Sequence, residues 1–195
     1  MKKVDMIVKA PHFYTMEDDG VGYKTGIAMV VDTGKIIAID KEDIIDKEYI
    51  AEEVLNLTHH AIMPGFIDAH MHTGCCIMRG LAQDTNNWMM YGLQPFDNVV
   101  TGEEKFAGSR LAIIEAIKAG TTTIGDYENF MEPVCEFIYK IGVRGNITQM
   151  IREAKRRVYN PGELYEYEEL LGIESLQKNI ELYDKWHDKA GGRIK

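Results

Sequence analysis

Several features of exported and membrane proteins are missing from this sequence of 195 residues. No apolar run approaches the ~20 residues that a helix needs to cross a bilayer. The cysteines number three and two of them, Cys75 and Cys76, are adjacent, which does not fit a secreted disulfide framework. Near the start, Asp5, Lys9 and His12 interrupt the apolar segment that a signal peptide requires. We therefore expect a soluble, cytoplasmic protein with no membrane partner.

Positive charge is also scarce. Lysine and arginine number 22 against 31 aspartates and glutamates, which gives a net charge of -9. A field of this sign repels phosphate backbones, so we expect no nucleic-acid partner. The sequence has no P-loop, no Gly-x-Gly-x-x-Gly element and no Gly-x-Ser-x-Gly elbow. Nucleotide-phosphate and serine-hydrolase chemistry therefore lack support.

Residues 1–60 carry the pattern of β-structure. The segment "VDMIVKA" is a short strand candidate. In "GIAMVVDTGKIIAID" two β-branched runs flank the tetrapeptide 32–35, which predicts a hairpin. The acidic segment 40–53 is predicted to be a solvated loop or a short helix.

Beyond residue 60 the pattern alternates between buried strands and amphipathic helices. "AIMPGFIDAH" is an apolar strand, and Thr101 with Glu104 forms a capping-box pattern for a helix that Gly120 ends. Two more strand–helix pairs follow, and "RIK" at the end indicates the opening of a fourth strand. Such alternation implies an α/β fold with parallel βα units. Residues 61–195 supply about half of the ~250 residues of a (β/α)8 barrel, so they form either a smaller open sheet or the front of a barrel.

Two histidines, His70 and His72, stand one residue apart at the end of the first buried strand. Residues i and i+2 of a strand point to the same face, so their Cα atoms lie ~6.6 Å apart and their imidazoles can converge on one ion. The alternative is a pair of partly exposed, inert histidines. Asp68 shares their parity, and it either orients a ligating imidazole or accepts hydrogen bonds from neighbouring backbone.

The motif "MPGFIDAHMH" resembles the signature of the amidohydrolase superfamily. The pair Arg79-Gly80 and the later "GTTT" with Asp126 resemble its branch of cytosine, guanine and S-adenosylhomocysteine deaminases and triazine chlorohydrolases. This resemblance implies a partial (β/α)8 TIM-type barrel of three βα units over residues 61–195, truncated at the start of strand 4. It also implies that residues 1–60 are the N-terminal part of a small β-sandwich domain.

The resemblance further implies a metal-dependent hydrolase acting on C–N bonds other than peptide bonds. His70 and His72 would bind one divalent metal ion, zinc or alternatively iron. Such a metal lowers the pKa of a bound water to about 7, and the hydroxide attacks an sp² carbon. The substrate class is a small amino- or halo-substituted N-heterocycle, and deamination is the expected reaction.

The implied site is incomplete in this sequence. The family takes further ligands and a catalytic histidine from the fifth, sixth and eighth strands, so the catalytic residues are expected beyond residue 195. The remaining histidines match no family position and are expected to be structural or surface residues; they are His12, His59, His60 and His187. We therefore expect the chain to be inactive alone, and to form a homo-oligomer or require the missing C-terminal portion.

The loop "NNWMMYGLQPFDN" contains two candidate substrate contacts. Trp88 has the ring to stack on a flat heterocycle, and Asp97 has the carboxylate to accept hydrogen bonds from its N–H groups. The alternative is a loop anchored by a buried tryptophan. We interpret Cys75 and Cys76 as packed thiols rather than metal ligands, and Asp126 as a structural hydrogen-bond acceptor rather than a catalytic group.

Two rival functions remain open at this point. The first is a non-catalytic remnant that keeps the fold and acts as an assembly partner. The second is a binuclear cyclic amidase, whose bridging lysine on the fourth strand would lie beyond this sequence.

Overall fold

The computed structural model describes residues 1–17, 20–81 and 83–195. The chain folds into two compact units, Met1–Pro64 and Gly65–Lys195. In the described ranges no helix combines the length and the apolar character needed to cross a membrane. The predicted boundary at residue 60 remains a prediction.

In its described residues, 1–17 and 20–64, the first unit contains two small sheets and one helix. Its elements are β1 (Lys2–Lys9), β2 (His12–Tyr14), β3 (Tyr23–Lys24), β4 (Ile27–Asp32), β5 (Lys35–Lys41), α1 (Glu42–Glu48), β6 (Tyr49–Asn56) and β7 (Ala61–Ile62). The larger sheet has the order β5-β4-β1-β6 and the smaller one β3-β2-β7. Ala28, Val30 and Ile45 are fully buried in the core between the larger sheet and α1. The predicted sandwich arrangement remains a prediction.

The hairpin predicted around residues 32–35 is confirmed, because β4 and β5 pair antiparallel and Asp32 faces Lys35. Thr33 and Gly34 form the turn with φ values of 49° and 74°. The acidic segment 40–53 differs from the prediction in its second half. Residues from Tyr49 onward form strand β6, parallel to β1. Its partner lies more than 40 residues away in the sequence, so local charge gave no signal for it.

The second unit alternates strands and helices. Its elements are β8 (Phe66–Met71), a 3-10 helix (Thr73–Met78), a π-helical turn (Met89–Leu93), α2 (Gln94–Val99), α3 (Gly102–Lys118), β9 (Thr121–Glu128), α4 (Glu132–Ile141), β10 (Arg144–Gln149), α5 (Glu169–Trp186) and a short turn (Lys189–Gly192). The strands are parallel, in the order β10-β9-β8. Near the end of the chain, Ile194 bridges to Gly145 in the parallel sense. A mixed α/β fold is thereby confirmed, and barrel closure remains a prediction.

The helices α3 and α4 begin and end at the residues that favour helix termini in the sequence. Thr101 and Glu104 form the predicted capping box, in which each side chain bonds the other's backbone N–H. Pro133 lies in the first turn of α4, and Gly142 ends that helix with a φ of 90°. The apolar side chains of α3 are only partly buried, because Ile113 is inaccessible whereas Ile114 is 46% exposed.

The parallel arrangement brings the carboxyl ends of the three strands to one edge of the sheet. His72 directly follows β8, Glu128 ends β9 and Gln149 ends β10. In parallel α/β folds this edge holds the binding and catalytic groups. The candidate site is therefore built from the segments that follow these strands.

Candidate metal centre

The two histidines present their rings to each other. The ring centroids of His70 and His72 lie 5.0 Å apart and the ring planes are at 89°. His70 is exposed and His72 is half-buried. His70 lies on β8, which ends at Met71, and His72 is the residue that follows the strand. That both imidazoles bind one metal ion remains a prediction.

The backbone of β9 determines the tautomer of His72. Its Nδ1 lies 3.1 Å from the carbonyl oxygen of Tyr127. A carbonyl oxygen only accepts, so Nδ1 carries the hydrogen and donates it. The lone pair of the neutral ring is then on Nε2, as in histidine ligands oriented by a carbonyl.

The Tyr127 side chain packs against both imidazoles, with centroid distances of 4.5 Å to His72 and 5.5 Å to His70. Tyr127 therefore contacts the pair through its ring and through its carbonyl. The sequence reasoning missed this residue. The available signal was its place at the end of the second parallel strand, directly after Asp126.

Asp68 contacts backbone. Its Oδ1 accepts a hydrogen bond of 3.3 Å from the N–H of His70. This contact corresponds to the second alternative given for Asp68, in which its carboxylate accepts hydrogen bonds from neighbouring backbone. A role in orienting a ligating imidazole remains a prediction.

Asp126, near the end of β9, is buried, with 1% of its surface exposed. It accepts hydrogen bonds from the N–H of Thr73, at 3.2 Å, and from the Thr73 hydroxyl. Burial raises the pKa of this carboxyl, while the hydrogen bonds from Thr73 act to lower it. The hydroxyl of Ser109 lies 2.8 Å from that of Thr73. These contacts agree with the structural role expected of Asp126.

A cavity of about 450 Å³ opens beside His72. Both candidate substrate residues, Trp88 and Asp97, line it together with Tyr127 and Glu128. Trp88 is 49% exposed, so the alternative of a loop anchored by a buried tryptophan does not describe the structure. The cavity has the size of a site for a small molecule.

Asp97 belongs to a cluster of charges in the wall of this cavity. The Nζ atom of Lys105 lies 2.7 Å from Oδ1 of Asp97 and 3.2 Å from Oε1 of Glu128. Arg156 approaches the same Oδ1 at 3.4 Å. The sequence reasoning missed Lys105 and Glu128, because a lysine and a glutamate on separate elements carry no local sign of pairing.

Cys75 lies against the same cluster. Its thiol is 3.6 Å from Oε2 of Glu128. Burial, and then the charge of Glu128, raises the pKa of the Cys75 thiol to about 12. A thiol with this pKa is protonated at neutral pH in the metal-free chain, which agrees with the interpretation of Cys75 as a packed thiol.

The two histidines are candidate ligands without a complete cluster around them in the described ranges. Within residues 1–17, 20–81 and 83–195, no group of three histidine, cysteine or acidic side chains is placed to hold one ion. Of the other histidines, His12 contacts the Tyr23 hydroxyl at 2.9 Å and His187 stacks on Tyr183. Imidazole nitrogens are suitable zinc ligands, so the donor type fits and the number is short of a catalytic set.

Comparison with known proteins identifies the family. Residues 61–195 match the model of the Amidohydrolase family. The chain belongs to this family. The amidohydrolase is 30% identical over 192 residues to the 5′-deoxyadenosine deaminase of Methanococcoides burtonii, covering 97% of this chain and 40% of that protein. It is 27% identical to the 5-methylthioadenosine/S-adenosylhomocysteine deaminase of Acetivibrio thermocellus, covering 100% of this chain and 41% of that protein.

A solved structure shows the same fold. The adenosine deaminase of Xanthomonas campestris, crystallised with bound zinc, superposes with a TM-score of 0.85 at 21% identity, covering 100% of this chain and 42% of that one. The amidohydrolase thus spans about two fifths of the length of these relatives. The resemblance to the N-terminal portion of the deaminase branch is confirmed.

Proposed function

We propose that this amidohydrolase contributes His70 and His72 as two ligands of one divalent metal ion, zinc, in a deaminase of 5′-modified adenosines. The observation that carries the proposal is the histidine pair itself, with rings 5.0 Å apart and the His72 lone pair on Nε2, beside a cavity of about 450 Å³. The deaminases among the relatives support the reaction and the adenosine class. Iron remains the alternative metal.

The chain's own residues have distinct roles in this proposal. His70 and His72 hold the metal, which when bound supplies water activated for attack at neutral pH. Trp88 stacks on the flat base, and Asp97 accepts a hydrogen bond from the substrate. Because a catalytic zinc normally takes three protein ligands, we propose that the third ligand and the catalytic acid–base group come from outside residues 1–195.

We also propose an architecture for the two units, from the match of residues 61–195 to the Amidohydrolase family. Residues 61–195 are proposed to be the front of a (β/α)8 barrel, and residues 1–60 part of a small β-sandwich domain. The parallel order β10-β9-β8, with Ile194 bridging to β10 through Gly145, supports the first statement. A homo-oligomer or a complementary portion would then complete the barrel.

Ligand binding tests the proposed function. Calorimetric titration of the zinc-loaded chain with 5′-deoxyadenosine is expected to show binding that Trp88→Ala and Asp97→Asn weaken. Trp186→Ala, on α5 and outside the residues that line this cavity, is the matched control. The chain alone is expected to release no ammonia. Zinc retention without any binding of the nucleoside would contradict the proposal and favour the non-catalytic remnant.

A further inference from the structure

Lys105 is a buried cation held between two carboxylates. Its side chain is 4% exposed, and its Nζ contacts Asp97 and Glu128 at 2.7 and 3.2 Å. The three side chains come from different elements, since Asp97 lies on α2, Lys105 on α3 and Glu128 at the end of β9. One ammonium group therefore links the wall of the cavity to the sheet.

Stability alone does not account for this arrangement. Lys105 lies near the amino end of α3, where the helix dipole disfavours a cation. Buried ion pairs are seldom more stabilising than apolar side chains of similar volume, although breaking one by removing a single partner is costly. The contacts of Lys105 therefore indicate a geometric role.

This role lies in how Asp97 is held. Glu128 is anchored to the strand end, because its Oε1 also accepts the N–H of Asn129 at 3.1 Å. Lys105 connects this anchor to Asp97, and Arg156 adds a second contact to the same atom, Oδ1. In the described ranges, Oδ1 of Asp97 accepts the hydrogen bond from Lys105, and Oδ2 takes part in no hydrogen bond with the protein.

We propose that Lys105 is a positioning residue that holds Oδ1 of Asp97 and leaves Oδ2 to accept a hydrogen bond from the ligand in the His72 cavity. Two cations, Lys105 and Arg156, balance the charges of Asp97 and Glu128. The ligand group at this point is therefore a neutral donor, an amino or hydroxyl group, rather than a cation. This inference rests on the proposed function, because it takes the cavity as the substrate site.

The affinity for 5′-deoxyadenosine tests the inference. Lys105→Met is expected to weaken binding about tenfold, the loss of one well-placed charge-assisted hydrogen bond. Lys105→Arg keeps the cation and is expected to restore most of the affinity. In an Asp97→Asn background, Lys105→Met is expected to cause no further loss. A purely structural lysine would instead give the same additional loss in both backgrounds.

A double variant and a hydrogen-exchange measurement without ligand test the inference if Lys105→Met fails to fold or if the chain does not bind the nucleoside. The double variant Lys105→Met with Glu128→Gln removes the link between Asp97 and Glu128 without leaving the buried carboxylate of Glu128 unpaired. It therefore remains informative if the single variant fails to fold. Hydrogen exchange of the α2 segment Gln94–Val99 is expected to accelerate in both variants. It is not expected to accelerate in Lys118→Met, which changes an exposed lysine at the end of α3, the helix that also carries Lys105. Absence of nucleoside binding by the unsubstituted chain contradicts the proposed function, and the exchange data then decide whether Lys105 holds α2. Unchanged binding and unchanged exchange in folded Lys105 variants would overturn the inference.

Discussion

The Nδ1 atom of His72 donates a hydrogen bond of 3.1 Å to the carbonyl oxygen of Tyr127. The candidate ligand directly follows β8, and the neighbouring parallel strand β9 determines which nitrogen of its ring has a lone pair. The close approach of β8 and β9 is therefore a condition for the proposed metal centre, as well as for the sheet.

Gly125 permits this approach. A Cβ atom at Gly125 would lie 2.6 Å from the carbonyl oxygen of Ala69, next to His70. We expect Gly125→Ala to push the strands apart, to cost about 1–3 kcal/mol of unfolding free energy and to lower zinc affinity. Urea unfolding and a zinc titration measure the two effects. Gly102→Ala is the control, since the atoms nearest its new Cβ belong to the exposed ring of Phe130, at 3.1 Å, and not to backbone. Equal stability of the two variants would contradict the expectation.

The buried hydroxyl of Thr73 is expected to stabilise the floor of the site. It bonds to both Asp126 and Ser109, and Thr73 is 1% exposed. Thr73→Val would leave both partners without this hydroxyl, at a cost of about 1–3 kcal/mol. Thr73→Ser keeps the hydroxyl and serves as the control in urea unfolding. If the valine variant is no less stable than the serine variant, the hydroxyl does not have this role.

The ion pair of Glu163 and Arg157 predicts a pH dependence. Hydrogen bonds from Arg157, and then from the backbone of Asn160, lower the pKa of Glu163 from 4.5 to about 2. A lowered pKa gives stability that is fully present above the unfolded value of 4.5 and is lost as the pH falls towards 2. We expect the Tm of the unsubstituted chain to exceed that of Glu163→Gln at neutral pH, and the difference to shrink below pH 4.5. A difference that grows on acidification would refute this assignment.

Local rules sufficed for part of the structure. The start of α3 was predictable because Thr101 and Glu104 satisfy each other within one helical turn. The histidine pair was predictable because strand parity places residues i and i+2 on the same side.

Other features depend on residues that are distant in the sequence. Strand β6 escaped prediction because Tyr49 pairs with Lys2. Lys105 has no local sign of its partners, because only the tertiary fold brings Asp97 and Glu128 to it. The place of Tyr127 near the end of a strand is visible in the sequence, but its contact with the histidines depends on β8 and β9 lying side by side.

The most direct test of the account is the zinc content of the purified chain. After equilibration with zinc and gel filtration, we expect the unsubstituted chain to retain the metal and both His70→Ala and His72→Ala to lose it. His60→Ala, at an exposed histidine of the first unit, is expected to retain it. X-ray absorption at the zinc edge should then show imidazole nitrogens among the ligands. Full zinc retention in both His70→Ala and His72→Ala would contradict the assignment of these residues as ligands.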